Sequence, residues 1–551
     1  MVGWDSVCWE YIDPLLERGE LPHLGGLVEA GCRGTLQSTM PPITPAAWSS
    51  IITGKLPQKH GVYDWVWESA NQLRFATSSD RLGTPFWERL NAQGMRVGLI
   101  NVPLTYPPTP LDGFLVCGFG APNPPAELTF PSDFLAEMEL EFGPYTPSVS
   151  LERAQEVRRG QGQYALYEEE ARVQREHVQI ALHLADRYPV DVLVINLMLF
   201  DHMNHRAEDL ALVEASLQEM DRQLGLLLNG FGPDDVLLLS DHGARRIEGL
   251  FLLADWLRDR GYLIRQRRAH QTVSELNYVL LQYLKRGWGL HGRGERVIRA
   301  LLRGSLPHMP DTVGSAFWRD VQARTPRAFD HYWFEEDVDV DASPVLNPRN
   351  IGAIYMNRDA MAPWQHATPE RTAGFIAREL EQVRTPGLDR PLVRAVFDSA
   401  ALYGVNAPGE PPDLILDYYD SAFSLHTNKG VGLAEREPYF AFLADNPQAD
   451  FWHGDHHGDG VYLCSGSSFH ARRTLELAHI VDIPATLLHL YRVPIPDDFD
   501  GQVLKSALIE DYSISSQPGD AALLRGSCGT EYSESERNQV LSHLRALGYV
   551  D

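Results

Sequence analysis

At 551 residues the chain is too long for one ordinary hydrophobic core, so a large domain carrying an inserted or appended subdomain is expected. Hydrophobic residues at 44% and charged residues at 22% are globular averages, which exclude a collagen-like or wholly disordered chain. A formal charge of -26 argues against a nucleic-acid polymer as partner, because such binding needs cationic groups that release counterions from phosphates.

The five cysteines (Cys8, Cys32, Cys117, Cys464 and Cys528) are scattered, odd in number and without C-x-x-C spacing. They suggest neither a disulfide framework nor a cysteine zinc site, and they favour a reducing compartment. The opening MVGWDSVCWEYIDP lacks the basic and apolar regions of a signal peptide. The apolar run from Val190 to Phe200 is short and broken by Asp191 and Asn196, so no membrane span and a cytoplasmic location are expected.

Residues 8–31 read as a helix with the apolar positions Ile12, Leu15, Leu16, Leu24 and Leu27, interrupted by a turn near Gly19. PPITPAAWSSIITG follows as a proline-marked loop entering a helix. A helix-like 85–93 leads to the apolar run MRVGLINVP at 95–103. One or two long helices are predicted over 150–188, delivering the chain to the strand VDVLVINLML, and a second buried strand, DVLLLS, spans 235–240. This alternation predicts a mostly parallel sheet.

Both strands end in polar clusters, FDHMNH and DHGARR, where open α/β sheets place ligand sites. Residues 247–345 change to Arg- and Leu-rich helical patterns and then to a Pro/Asp-rich stretch, as expected of an inserted, mainly helical lid. GAIYMN at 352–357 and a helix at 369–384 resume the α/β pattern, and the tail 511–551 is polar before an amphipathic helix expected to dock on the core.

Asp201 and His205 stand four apart after a buried strand, so on a helical turn both project from one face and a cation can bridge them, though such spacing also arises by chance. Asp241 and His242 follow DVLLLS directly, with Gly243 permitting a tight turn or close backbone approach; a plain strand-end turn fits equally. WHGDHHGDG sets His453, His456 and His457 in a loop able to wrap a cation or to lie in solvent. Asp5 follows the apolar start MVGW, where a helix cap is the commoner role. Thr44, before a proline at a helix start, lies where backbone donors can hold an oxyanion, and it reads equally as an N-cap.

Taken in order, the run from Asp5 through LPHLGGLVEAGCRGTLQSTMPPITPAAWSSIITGKLPQKHGVYDW, then INVPLTYPP, FDHMNH, LLLSDHG, GAIYMN, PPDLIL, HGDHHGDGVYLCSG and HIVDIPATLLHLYRVPIPDDFDGQVL, resembles the type I phosphodiesterases/nucleotide pyrophosphatases of the alkaline phosphatase superfamily. The closing LRALGYV is similar to one prokaryotic branch. The resemblance implies an α/β, alkaline-phosphatase-like core over 1–246 and 346–510: a mostly parallel sheet flanked by helices, with the lid inserted.

It further implies two divalent metal ions, most often zinc in this family; manganese or iron fits the same nitrogen and oxygen donors. Asp201, His205 and His456 would bind one ion, and Asp5, Asp241 and His242 the other, with Thr44 bridging toward substrate as the nucleophile of a phosphothreonine mechanism. His456 is preferred to His457 by the family's G-x-H-x-x-x-G pattern. The implied partner is a small phosphate ester.

Nucleotide pyrophosphatases of the family carry an Asn 21 residues after the nucleophile, and here that position is Trp65. Asn101 is an alternative amide donor, although INVPLTYPP favours a turn. TPAA lacks the residues from which sulfatases make formylglycine. Arg245, Arg246, Asn428 and Lys429 are rim candidates against the commoner role of solvated charge. The competing readings are a phosphotransferase, a phosphomonoesterase or phosphonate hydrolase of the same superfamily, and a non-catalytic metal-dependent binding protein.

Overall fold

Short, continuously apolar segments buried on both faces are what parallel sheets require, since crossover helices cover each side. The strands of the main sheet up to residue 239 are β1 (Val2–Trp4), β2 (Gly31–Gln37), β3 (Val97–Ile100), β4 (Gly113–Val116), β5 (Thr129–Phe130), β6 (Val192–Leu197) and β7 (Asp235–Leu239), of which β1, β3 and β6 fit that description most fully. A ribbon strand β8 (Gly243–Arg246) follows, and later β9 (Gly454–His457), β10 (Asp459–Gly466), β11 (Arg473–Thr474) and β12 (Ala478–His479).

The computed structural model describes residues 1–69, 72–123, 127–158, 162–264, 339, 342–346, 351–361, 368–387, 389–426, 435–446, 453–510, 513–519, 532–547 and 549. Most of the stretch expected to form the lid, 265–338, lies outside them, as do Asn428, Lys429 and Cys528. Contacts divide the chain into two units, the first made of Met1–Ile247, Phe397–Asp420 and Asp450–Val550, the second of Glu248–Val396 and Ser421–Ala449.

The first unit holds a ten-stranded sheet in the order β11-β2-β10-β7-β1-β6-β3-β4-β5, with β12 also on β2. β1 runs parallel to β6 and β7 on either side, and β3 is parallel to β6 and β4. β10 is antiparallel to both neighbours. The alternation read from the sequence thus gives the mostly parallel sheet flanked by helices.

The helices follow the apolar spacing. The segment 8–31 divides into α1 (Trp9–Glu17) and α2 (Pro22–Ala30), with Gly19 in the left-handed region between them. Next come α3 (Thr44–Thr53), buried at every residue, α4 (Gln163–Arg187), α5 (Leu199–Arg206), α6 (Leu210–Phe231) and α7 (Glu534–Leu547). The Asp209 side chain caps α6 by accepting from Ala211 N at 2.9 Å, and Gly232 ends it in the left-handed region, the arrangement that closes exposed helix ends at least cost. Val540, Leu544 and Leu547 of α7 join the main core cluster.

β2 has no counterpart in the sequence reading. Arg33 and Thr35 dilute its apolar pattern, and its pairing with β10 through residues Gly31 to Gln37 supplies the order instead. In the second unit the expected helix runs over Pro369–Leu380, capped by the Thr368 side chain, and the expected strand shrinks to Ala353–Ile354. Gly249–Leu252 pairs with Phe423–His426 and Phe440–Phe442 in a four-stranded sheet of that unit. Among the described residues no helix is long and apolar enough to cross a membrane.

His60 is fully buried; Val62 N–H donates to its Nδ1 at 3.1 Å, so its Nε2–H donates to Ser50 Oγ at 3.0 Å, and the ring is held neutral. Burial, then the charge of Arg81, pushes its pKa from 6.5 to about 3, while burial takes His177 to about 4. The folded values lie below the unfolded ones, so this stability is complete above pH 6.5 and drains away as pH falls toward 3 to 4. Each ring is expected to add about 1.4 kcal/mol per pH unit to the loss within that window. Calorimetric melting between pH 7 and 4.5 checks this: His60→Gln should flatten the slope by one proton's worth, and an unchanged slope refutes the assignment.

Candidate metal centre

Parallel strands that lie side by side end at the same edge of the sheet, and three of them here deliver acidic residues to one place. Asp5 follows β1 directly, Asp201 lies in the first turn of α5 just beyond β6, and Asp241 stands two residues past β7. β8 and β9 form an antiparallel ribbon in which Ala244 faces His456, carrying that histidine to the same edge.

Two clusters result. Asp201, His205 and His456 offer ligand atoms all within 4.8 Å of one another, and so do Asp5, Asp241 and His242; all six residues are buried. In the first, His205 Nε2 is 3.2 Å from Asp201 Oδ1 and 3.0 Å from His456 Nε2. In the second, His242 Nε2 is 3.3 Å from Asp241 Oδ2 and 3.7 Å from Asp5 Oδ1. The clusters abut, with the His242 and His456 ring centroids 4.2 Å apart.

Thr44 is fully buried and is the first residue of α3. Ile43 occupies the N-cap position and no side chain caps the helix, so the N-cap reading of Thr44 does not hold. Its Oγ1 lies 3.2 Å from His242 Nε2, which puts the hydroxyl against the second cluster.

The donor set fits a pair of cations. Asp5 Oδ1, Asp201 Oδ1 and Asp241 Oδ2 are buried with no hydrogen-bond partner, and each faces its own cluster. The other oxygen of each carboxylate is engaged: Asn196 Nδ2 donates to Asp5 Oδ2 at 3.0 Å, Ser6 N–H to Asp241 Oδ1 at 3.4 Å, and the Tyr549 hydroxyl to Asp201 Oδ2. His205 Nδ1–H donates to Gly454 O at 2.9 Å, which leaves the Nε2 lone pair facing His456. Such backbone and side-chain partners are what fix metal-ligand tautomers and orientations.

Electrostatics agree. Burial, with Asp241 and Asp201 close by, holds the Asp5 carboxyl well above its usual range, and burial with Asp201 raises Asp241 to about 8. Burial opposes ionisation of Asp201, but the His205 imidazole beside it outweighs that and holds its carboxyl well below the usual range. Burial, with His242 and His205 adjacent, keeps His456 neutral. Three carboxylates packed out of water are compensated by divalent charge better than by protons.

The remaining candidates fall elsewhere. His457 points away, is partly exposed, and pairs with Asp420 at 3.1 Å. Asn101 adopts φ 54, donates to Asn196 O and accepts from Phe119 N–H, which is the turn role. Arg246 donates to the carbonyls of Asn204 and Ala207 at the end of α5, and Arg245 pairs with Asp455. Trp65 is buried with its ring 5.3 Å from Phe119.

Asn196, Ser6 and Tyr549 are partners that the sequence reading lacks. Ser6, at φ 68, places its Oγ 3.2 Å from His242 Nδ1. Only the D-S step after a strand hints at it.

The family model described as type I phosphodiesterase/nucleotide pyrophosphatase matches residues 1–308. No curated protein sequence matches the chain. Among solved structures, alkaline phosphatase PafA in a multiply substituted and in the wild-type form gives TM-scores of 0.51 and 0.50, both at 14% identity, covering 92% of this chain and 98% of that one, which shows the shared fold. Human ectonucleotide pyrophosphatase/phosphodiesterase 5 aligns at 14% identity and TM-score 0.49 over 92% of this chain and 99% of that chain. Phosphonoacetate hydrolase from Sinorhizobium meliloti aligns at 12% identity and TM-score 0.46 over 86% and 89%.

The two adjacent histidines of β9 are expected to separate cleanly. His456→Gln should lower bound metal from two ions per chain toward one, while His457→Gln keeps both; elemental analysis of the purified proteins decides, and the reverse pattern would exchange their roles.

Proposed function

The chain belongs to the type I phosphodiesterase/nucleotide pyrophosphatase family, and from that premise we propose that it hydrolyses small phosphodiesters through a phosphothreonine at Thr44. Asp201, His205 and His456 hold one divalent cation, and Asp5, Asp241 and His242 the other. The observation that carries the reading is the buried Thr44 hydroxyl, uncommitted to capping its helix and 3.2 Å from His242 Nε2. We take zinc as the first choice of metal, with manganese or iron compatible, and we take the cytoplasm as the location. The division into a core of 1–246 and 346–510, an inserted lid of 247–345 and a tail of 511–551 belongs to the same proposal.

Threonine is a weak nucleophile at neutral pH, and a bound cation would supply what it lacks by favouring the alkoxide and drawing charge from the phosphoryl and leaving oxygens. Thr44 Oγ1 loses its proton and attacks phosphorus in line; the Oγ1–P bond forms as the ester P–O bond breaks, and the leaving alkoxide takes up a proton and departs as the alcohol. The first turn of α3 presents backbone N–H groups and the positive end of the helix dipole to the phosphoryl oxygens. Water then attacks phosphorus from the opposite side, the Oγ1–P bond breaks, and Thr44 regains a proton. Two inversions give net retention.

Trp65 favours a second reading of the substrate. Where nucleotide pyrophosphatases carry an amide, this chain buries an indole, and Asn101 is spent on its own turn. Both facts favour non-nucleotide diesters, with monoesters or phosphonates as alternatives.

Thr44→Ala is expected to cut turnover of p-nitrophenyl diesters by about a thousandfold or more while metal content stays at the wild-type level. Mass spectrometry of acid-quenched wild type should find phosphate on Thr44. Normal hydrolysis by the variant removes Thr44 from the reaction. In a parallel panel of mono- and diesters, chelation should abolish turnover and Zn2+ should restore it; metal bound without turnover on any ester points to a binding protein.

A further inference from the structure

We infer that the C-terminal tail completes the metal centre, with Tyr549 acting as a positioning residue for Asp201. The inference rests on the reading that Asp201, His205 and His456 hold a cation. The Tyr549 hydroxyl donates to Asp201 Oδ2 across 348 residues of sequence. That bond spends the outer oxygen and leaves Oδ1, buried and without a hydrogen-bond partner, aimed at the cluster 3.2 Å from His205 Nε2 and 4.0 Å from His456 Nε2. A carboxylate on a short side chain can turn about its last bond, so a fixed donor on one oxygen selects which oxygen meets the cation.

The tail is built to hold that donor in place. Beyond the buried Val540, Leu544 and Leu547 of α7, Tyr549 N–H donates to Leu544 O at 2.9 Å and turns the chain back. Arg206, next to His205 in α5, donates from Nε to Leu547 O at 3.1 Å. Tail and ligand helix are therefore tied one residue from a candidate ligand. The Tyr549 ring stands edge-on to His205 with centroids 5.9 Å apart and packs against Phe119 at 5.1 Å. Trp65 meets the same ring at 6.4 Å. The phenol is thus clamped by packing at one end and bonded to a carboxylate at the other, a use suited to an apolar ring with one polar tip.

The test is Zn2+ binding to the metal-free full chain, measured by competition with a chromophoric chelator for wild type and Tyr549→Phe. Phenylalanine keeps the ring and removes only the hydroxyl. Wild type should take two ions; the variant should also take two, with one site weakened about tenfold to hundredfold and the other unchanged. The melting temperature of the metal-free variant should match that of wild type. Unchanged affinity at both sites overturns the inference while leaving the metal reading intact, as does equal loss at both sites together with a lowered melting temperature, which marks a packing role. Failure of wild type itself to bind two ions overturns the reading of the site and this inference with it.

Discussion

Asp5, Asp201 and Asp241 are removed from water at one edge of a sheet, and a buried carboxylate without compensation costs several kcal/mol. Much of the surrounding structure answers that constraint. Each carboxylate has one oxygen bonded to the protein and one turned to a cluster, so the partners Asn196, Ser6 and Tyr549 act as a frame rather than as neutralising charge. Among the described residues no Lys or Arg side chain pairs with these three carboxylates; histidine rings stand beside them instead and leave room for an exogenous cation. Apolar residues at those positions would serve stability better, so packing alone does not account for the three acids.

The sheet order explains why the acids converge. β1 lies between β6 and β7, and parallel neighbours put their carboxyl ends at the same height, so residues far apart in sequence arrive together without any long loop to hold them. Precision comes from the strands, and rigid elements place ligands better than loops do. Thr44 arrives differently, on a helix buried at every residue. The cost of burying such a helix start is offset if the N–H groups of its first turn meet an anion, so an anionic ligand would stabilise the position that Thr44 holds.

Sequence carried this site unevenly. The spacing of Asp201 and His205 and the strand-end position of Asp241 and His242 are weak signals taken singly, since both patterns also arise without a ligand, and it is the ordered set of motifs resembling the family that singles them out. Thr44 was ambiguous, since a hydroxyl before a proline reads equally as an N-cap; in the structure Ile43 takes the cap position and the hydroxyl faces His242. Asn196 hides inside the apolar run of β6, where it reads as an interruption. Tyr549 stands in the closing LRALGYV, but nothing local in that run points to its partner, which lies 348 residues away. β2 was lost for a related reason, its order being supplied by β10 rather than by its own composition.

The choice between His456 and His457 turns on register. The match to the family stops at residue 308, so it does not reach either histidine. In β9, side chains alternate: His456 faces His205, while Asp455 pairs with Arg245 and His457 with Asp420. A slip of one residue would exchange the faces and present Asp455 or His457 to the cluster. The register is fixed by close approach on both strands of the ribbon. A Cβ at Gly243 would stand 2.0 Å from the carbonyl oxygen of Asp459, and one at Gly454 would meet the Asn204 side chain at 2.4 Å. Because backbone cannot yield there as a flexible side chain can, Gly243 is bound to its place beside β10, and the antiparallel ladder from Gly243–His457 to Arg246–Gly454 then leaves His456 no other direction. The glycine after Asp241 and His242 therefore helps to set which side chain faces the cluster more than 200 residues further along the chain.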